Sequence, residues 1–331
     1  MSYVRPSPAT ILSLLVRRMP TRFDEIGSTL QLALLLEVSS YPKPGNVHRT
    51  QDFDRTRFEH FLASAASLGP HFRLAAQRGR RIASDGPTNS ELKIGDCIRC
   101  AVEASSKWQR GGNTSLGAVL LLVPMAYAAG MIPSDSTMRA ERIRRNLKLV
   151  LRNTTSSDAA EVYRAISYAS PGGLGRVPEL DLRDAKSIAQ IFDRNLSLLE
   201  IFRMSSKYDR ICWEWTHDFS VTFDFGLPFL KREIRATQDV NIATVDTYLR
   251  ILSRFPDTLI ARKHDMKTAR KVSQKAAHVL RMGGMKTPHG QEAVERMDRD
   301  LRTRGHSFNP GTTADLTACA LAALLLDGYR P

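Results

Sequence analysis

Leu116-Gly117-Ala118-Val119-Leu120-Leu121-Leu122-Val123-Pro124-Met125-Ala126-Tyr127-Ala128-Ala129 is apolar on nearly every side of a helix. A helix with no polar face must be surrounded by other helices or by lipid. The apolar run from Ser115 to Pro133 is broken by Pro124 and bounded tightly by Asn113-Thr114-Ser115 and Ser134-Asp135, which favours a buried helix over a membrane span. Thr313–Leu326 is a second helix of the same kind. Two such rods need a shell of amphipathic helices around them.

That shell is legible. Leu30–Val38 is apolar except for Gln31 and Glu37. Phe58–Leu68 carries apolar residues at 58, 61, 62, 65 and 68. Leu92–Trp108, Ala159–Ser170, Ala185–Phe202, Val245–Phe255, Thr268–Met282 and Glu292–Arg302 read as further helices, while period-two strand patterns are scarce. The expected class is all-α: a single compact multi-helix domain with two central apolar helices, spanning 28–331 behind an N-terminal extension, 1–27. The aromatic group Trp213, Trp215, Phe219, Phe223, Phe225 reads as core rather than as a base-stacking platform.

The 331 residues carry 48 Lys+Arg against 34 Asp+Glu, a net charge of +14, with 42% apolar and 25% charged residues. This excludes a disordered tail, a collagen-like repeat and a disulfide-stapled miniprotein. The four cysteines include Cys97-x-x-Cys100, which lacks a second ligand pair and falls on a helical pattern, so buried thiols are expected. No secretory signal is read at the N-terminus, and a cytoplasmic setting is expected. The basic excess predicts polyanionic partners. Residues 260–304 carry half of it, with twelve Lys+Arg against five Asp+Glu.

Four polar turns stand beside the apolar helices. Tyr41-Pro42-Lys43-Pro44-Gly45-Asn46-Val47-His48-Arg49 is stiffened by two prolines and offers Lys43, Asn46, His48 and Arg49 to a phosphate, or is an ordinary capped loop on a basic surface. Gly111-Gly112-Asn113-Thr114-Ser115-Leu116-Gly117 opens the first apolar helix, so it is an anion site at exposed amides or a simple cap. Asn309-Pro310-Gly311-Thr312-Thr313-Ala314-Asp315 opens the second, with Asp315 in its first turn as a capping, metal-binding or hydroxyl-activating group. Pro256-Asp257-Thr258-Leu259-Ile260-Ala261-Arg262-Lys263-His264 places Arg262 and Lys263 either on phosphates or at a helix C-terminus. The two apolar helices, both beginning with Asn, Gly and Thr, are expected to bring their N-termini to one pocket.

These turns, with Phe61-Leu62-Ala63-Ser64-Ala65 and Ala169-Ser170-Pro171-Gly172-Gly173-Leu174-Gly175, resemble the triphosphoribosyl-dephospho-CoA synthase family. The blocks occur in family order from about residue 28 to 327, closer to an archaeal-type or one-carbon-metabolism branch than to the bacterial citrate-lyase members. In the bacterial citrate-lyase members a Gly-Ala-His-x-Asp-Met block follows Pro-Lys-Pro-Gly, where this chain has Val47-His48-Arg49-Thr50-Gln51-Asp52-Phe53-Asp54; Ser115 stands where they typically have His. The resemblance implies an all-α transferase that joins the triphosphoribosyl part of ATP to 3′-dephospho-CoA, or a related hydroxyl acceptor, and releases adenine. It implies Mg²⁺, with ATP and a CoA-like acceptor as small-molecule partners.

For that chemistry the candidate bases or acids are Asp52, Asp54, Asp257, Asp315 and His48, with Asp52 and Asp315 as metal ligands and His264 as a second proton donor for adenine. Lys43, Asn46, Arg49, Asn113, Thr114, Arg262, Lys263, Asn309, Thr312 and Thr313 are the expected substrate-binding groups. A nucleotide hydrolase or phosphotransferase on the same pocket is the closer alternative. A basic helical nucleic-acid-binding protein is the more distant one, since the turns lack the aromatic and arginine interleaving of such surfaces. The +14 is read as a phosphate pocket plus a basic exterior.

Overall fold

A computed structural model describes residues 20–85, 92–172, 179–303, 305 and 307–331. Among these residues the chain forms fifteen α-helices and no sheet, with one isolated bridge between His48 and Gln51. The all-α expectation holds.

The first helix, α1 (Arg22–Ser39), begins at a capping box. Thr21 Oγ1 accepts the Asp24 amide at 3.3 Å, and the Asp24 carboxylate accepts the Thr21 amide at 2.8 Å. The expected boundary between residues 27 and 28 falls inside this helix. Then follow α2 (Phe58–Asp85), α3 (Ile94–Lys107), α4 (Leu116–Gly130), α5 (Ala140–Arg152) and α6 (Ser156–Ala169). The stretch expected as one helix over 185–202 divides into α7 (Ser187–Asp193) and α8 (Leu198–Ser205). Asn195 turns left-handed at φ +48° between them, and Ser197 with Glu200 forms a fresh capping box that restarts the helix. The C-terminal half holds α9 (Arg210–Thr216), a π-helical turn (Val221–Gly226), α10 (Leu227–Thr237), α11 (Val240–Arg254), α12 (Thr258–Lys263) and α13 (Met266–Arg281). A 3-10 turn (Gly284–Lys286), α14 (Pro288–Arg302) and α15 (Gly311–Leu326) complete it.

The two apolar helices are the centre, as their composition demands. Every residue of α4 is buried except Gly117, and every residue of α15 except Gly311, Ala314 and Asp315. α2 and α4 touch backbone to backbone. A Cβ on Gly130 would lie 1.9 Å from the Ala76 carbonyl oxygen, so only glycine fits there. Trp215, Phe219 and Phe223 are buried in this core, and the Trp215 indole donates to the Leu120 carbonyl at 2.9 Å. A second apolar cluster joins α11, α13 and α14 through Val245, Tyr248, Leu249, Val272, Val294 and Met297.

The basic run over 139–152 becomes α5, whose Ile143, Leu147, Val150 and Leu151 are buried while Arg142 and Arg145 face solvent. All four cysteines are free thiols; Cys97 and Cys319 are buried, Cys100 and Cys212 half-buried. Among the described residues no helix is long and apolar enough to cross a membrane.

Asp257 ties the fold together at the starts of two helices. Its Oδ1 accepts the Leu259 and Ile260 amides of α12 at 2.8 and 3.1 Å. Its Oδ2 accepts the Thr313 amide and hydroxyl of α15 at 2.7 and 2.8 Å. Four donors on one buried carboxylate cap two N-termini at once. Asp257→Ala orphans all four, and the expected loss of stability by urea unfolding is about 3 kcal/mol. A loss of about 0.5 kcal/mol or less, the size of a surface substitution, would contradict this role.

Candidate active site

Gly117, the one half-buried position of α4, faces Asp315, one of the half-buried positions of α15. A Cβ on Gly117 would lie 2.1 Å from Asp315 Oδ2, so the carboxylate lies directly against the first turn of α4. There the Ala118 amide donates to it. Burial pushes the Asp315 carboxyl well above the usual carboxylate range, and the nearby carboxylates of Glu37, Asp257 and Asp209 push it further, against the Ala118 amide. The two N-termini do meet at one notch, as the matching turns predict.

Lys43 reaches the same notch from the proline-rich turn, but not as a free phosphate ligand. It is 1% exposed, ion-paired with the Glu37 carboxylate, and donates to the Glu37 carbonyl at 3.0 Å. Burial lowers the Lys43 ammonium and raises the Glu37 carboxyl, while each partner opposes the other's shift. Asp315 also favours the charged lysine.

The rest of the turn is held by α14. The Gly45 amide donates to Asp298 Oδ1 at 2.8 Å, and Arg302 binds Asp298 at 2.9 Å and reaches the Asn46 carbonyl. His48 Nδ1 pairs with the Thr50 hydroxyl at 3.1 Å, and its Nε2 stands 3.6 Å from Asp298. Burial lowers the His48 pKa, so the ring is neutral near pH 7; Asp298 works against this shift. Burial alone would raise Asp298, yet His48, Arg302 and the Gly45 amide together hold it below the usual range. The Tyr248 hydroxyl donates to the Pro44 carbonyl at 2.8 Å, fixing the turn on α11.

The fourth turn closes the ring. Arg262 ion-pairs with Asp209, whose Oδ1 caps α9 through the Ile211 amide at 2.8 Å. The Thr258 hydroxyl donates to Thr312 Oγ1 at 3.2 Å. Burial lowers the Lys263 pKa, and its Cε lies 3.9 Å from where a Gly172 Cβ would stand. The Pro171-Gly172 end of the glycine-rich loop therefore flanks this cation; Gly173-Leu174-Gly175 lie outside the described residues.

Polar dissatisfaction concentrates here. Among the described residues, eight buried side-chain nitrogen or oxygen atoms lack a hydrogen-bond partner, and four belong to expected site residues: Asn46 Nδ2, His48 Nε2, Arg262 Nε and Asn309 Oδ1. Native proteins leave few such atoms unpaired, and ligand-binding positions are where they are tolerated.

Other expected residues sit elsewhere or are already engaged. Asp52 is exposed, and its Oδ1 accepts the Phe58 amide at 2.8 Å, capping α2. Asp54 is exposed; Arg49 is exposed and stacks 4.0 Å over the Tyr41 ring. Asn113 caps α4 through the Leu116 amide at 3.1 Å, and Thr114 pairs with Ser64 at 2.6 Å. Thr313 is held by Asp257. His264 is exposed and stacks on Phe308 at 4.5 Å. Among the described residues no three His, Cys, Asp or Glu side chains meet as a metal-holding group. Sequence reasoning singled out Asp209 without giving it a role, and missed Glu37, Asp298 and Arg302. Glu37 had a signal: it is the one charge in an otherwise apolar stretch of α1.

Known proteins resemble this chain along most of its length. Residues 23–331 match the model of the CitG family, ATP:dephospho-CoA triphosphoribosyl transferase. The chain is 26% identical over 310 residues to a probable 2-(5″-triphosphoribosyl)-3′-dephosphocoenzyme-A synthase of Pseudomonas savastanoi pv. phaseolicola, covering 90% of this chain and 89% of that one. It is 25% identical over 315 residues to the synthase of Klebsiella pneumoniae, covering 92% and 91%. A crystal structure of a candidate triphosphoribosyl-dephospho-CoA synthase from Archaeoglobus fulgidus superposes with a TM-score of 0.60 at 26% identity, over 81% of this chain and all of that one. The chain belongs to the CitG family of ATP:dephospho-CoA triphosphoribosyl transferases.

Proposed function

We propose that the notch between α4 and α15 is where this enzyme transfers the triphosphoribosyl group of ATP to a ribose hydroxyl of 3′-dephospho-CoA. The bond from the ATP anomeric carbon to adenine breaks, a bond to the acceptor oxygen forms, the acceptor loses its proton, and adenine leaves with one. The carrying observation is Asp315, a crowded carboxylate lying against Gly117 where two helix N-termini meet.

Of the four candidate aspartates, Asp315 alone combines a central position with an oxygen not committed to a cap. Asp257 is saturated by four donors, and Asp52 and Asp54 lie at the exposed rim. A carboxylate beside the anomeric carbon takes the hydroxyl proton and steadies the positive charge of an oxocarbenium-like transition state. The Lys43–Glu37 pair holds its surroundings. Arg262 and Lys263 take phosphate oxygens. Asn46 and Asn309 offer an unpaired donor and an unpaired acceptor to the nucleotide. His48, neutral in the free protein, has its charged form favoured by an arriving polyphosphate, which fits it to protonate adenine.

Among the described residues no group of side chains forms a protein-held Mg²⁺ cage. A Mg²⁺ brought with ATP would be held mainly by the nucleotide's own phosphates and water, and Asp315 is assigned to the ribosyl centre rather than to the metal. The four free cysteines suit a reducing cytoplasm.

Incubation with ATP, Mg²⁺ and 3′-dephospho-CoA should release adenine only when the acceptor is present. Phosphate release instead would favour the hydrolase reading. Asp315→Asn should lower the turnover by about 100-fold or more while leaving the protein folded, and a few-fold loss would reduce Asp315 to a structural group. Because the Asp315 carboxyl is raised, its basic form is lost at a pH where ordinary carboxylates remain ionised. The rate should therefore fall with decreasing pH through a value above the ordinary carboxylate range. A profile flat down to about pH 4 would contradict the assignment.

A further inference from the structure

A cavity of about 390 Å³ opens on another face, between α10, α11, α13 and the 3-10 turn. Four cations line it: Arg232, Arg250, Arg281 and Lys286. One buried carboxylate, Glu233, takes two of them, Lys286 at 2.7 Å and Arg232 at 2.8 Å. Arg250 and Arg281 form no ion pair among the described residues. Arg250 is instead held against aromatic rings, 5.0 Å from Phe225 and 5.7 Å from Phe229. The four lining cations outnumber the carboxylates near them, Asp246 in the lining and Glu233 behind it. Exposed guanidinium groups without carboxylate partners, one of them held against aromatic rings, are suited to a phosphate.

Asp246 supplies the second feature. It lines the same cavity at 1% exposure. Its Oδ1 accepts the Met285 amide at 2.8 Å, while its Oδ2 is buried with no partner. Burial pushes this carboxyl up to about 6, so the fold does not itself compensate its charge. An orphaned carboxylate oxygen is completed by a hydroxyl donor, as in the pairing of acidic residues with ribose hydroxyls. The Asp246 carboxyl is perturbed by the Met285 amide, Lys286 and Glu233, and the Asp315 carboxyl by Glu37, Asp257 and Asp209.

We propose that this cavity binds a phosphorylated sugar, with its phosphate on Arg250 and Arg281 and a hydroxyl on Asp246, at a site distinct from the ribosyl-transfer centre. The test is calorimetric titration of the full chain with ribose 5-phosphate and, separately, with inorganic phosphate. Ribose 5-phosphate should bind saturably and more tightly than phosphate. Binding should weaken about tenfold in Arg250→Ala/Arg281→Ala and several-fold in Asp246→Asn. Both arginines are exposed, so the double variant should fold and keep adenine release from ATP within about twofold. No saturable binding, binding unchanged in the double variant, or phosphate binding as tightly as the sugar phosphate would overturn the proposal. A parallel loss of adenine release in the double variant would also overturn it, by placing these arginines in the reaction site.

Discussion

The contact between Asp315 and Gly117 is the constraint from which the site follows. Two apolar helices pack in the centre of a helical shell, and their N-termini reach the same point. A side chain at residue 117 would occupy the space of the Asp315 carboxylate. Its absence lets a charged group sit at the end of a helix that is otherwise buried all round. The carboxylate gains the α4 amide at Ala118 and the favourable end of the helix dipole, and loses most of its water. Burial and three neighbouring carboxylates then raise its pKa. A carboxyl whose pKa is raised by its surroundings at a helix junction is suited to proton transfer at a sugar carbon.

Charge around this point is arranged in layers. Asp257 and Asp209 spend their oxygens on helix N-termini, Thr313 and Arg262, and they set the geometry of the helix starts. Lys43 and Glu37 neutralise one another deep in the protein. Breaking such a buried pair leaves an uncompensated charge, so each partner depends on the other more than on any ligand. Outside them, Asn46, His48, Arg262 and Asn309 keep unpaired polar atoms that a nucleotide would complete. The +14 net charge is thus only partly a property of the site. Much of it lies on solvated faces such as Arg142 and Arg145 of α5.

The two central helices and their meeting point were legible because an all-round apolar helix has one stable place in a helical protein, and matching polar turns mark its start. The division of 185–202 was not foreseen, because the capping box at Ser197 and Glu200 is local chemistry inside an apolar pattern. Lys43 shows a limit of another kind. A lysine in a proline-rich turn reads as a surface cation, and only the packing of α1 behind it reveals Glu37 as its partner. Asp298 and Arg302 were hidden for a similar reason: they act on residues 45–48 across about 250 positions of sequence. Asp52 and Asp315 looked alike as carboxylates, yet burial, not residue type, separates them.

The most direct test of the account is adenine release by Gly117→Ala. The added methyl would clash with the Asp315 carboxylate while replacing glycine in a helix with the residue that favours helices most. The account predicts a folded protein, judged by its thermal transition, whose rate of acceptor-dependent adenine release is down about 100-fold or more. A folded Gly117→Ala enzyme that turns over like the wild type would contradict it, because the carboxylate would then have no need of its place against α4.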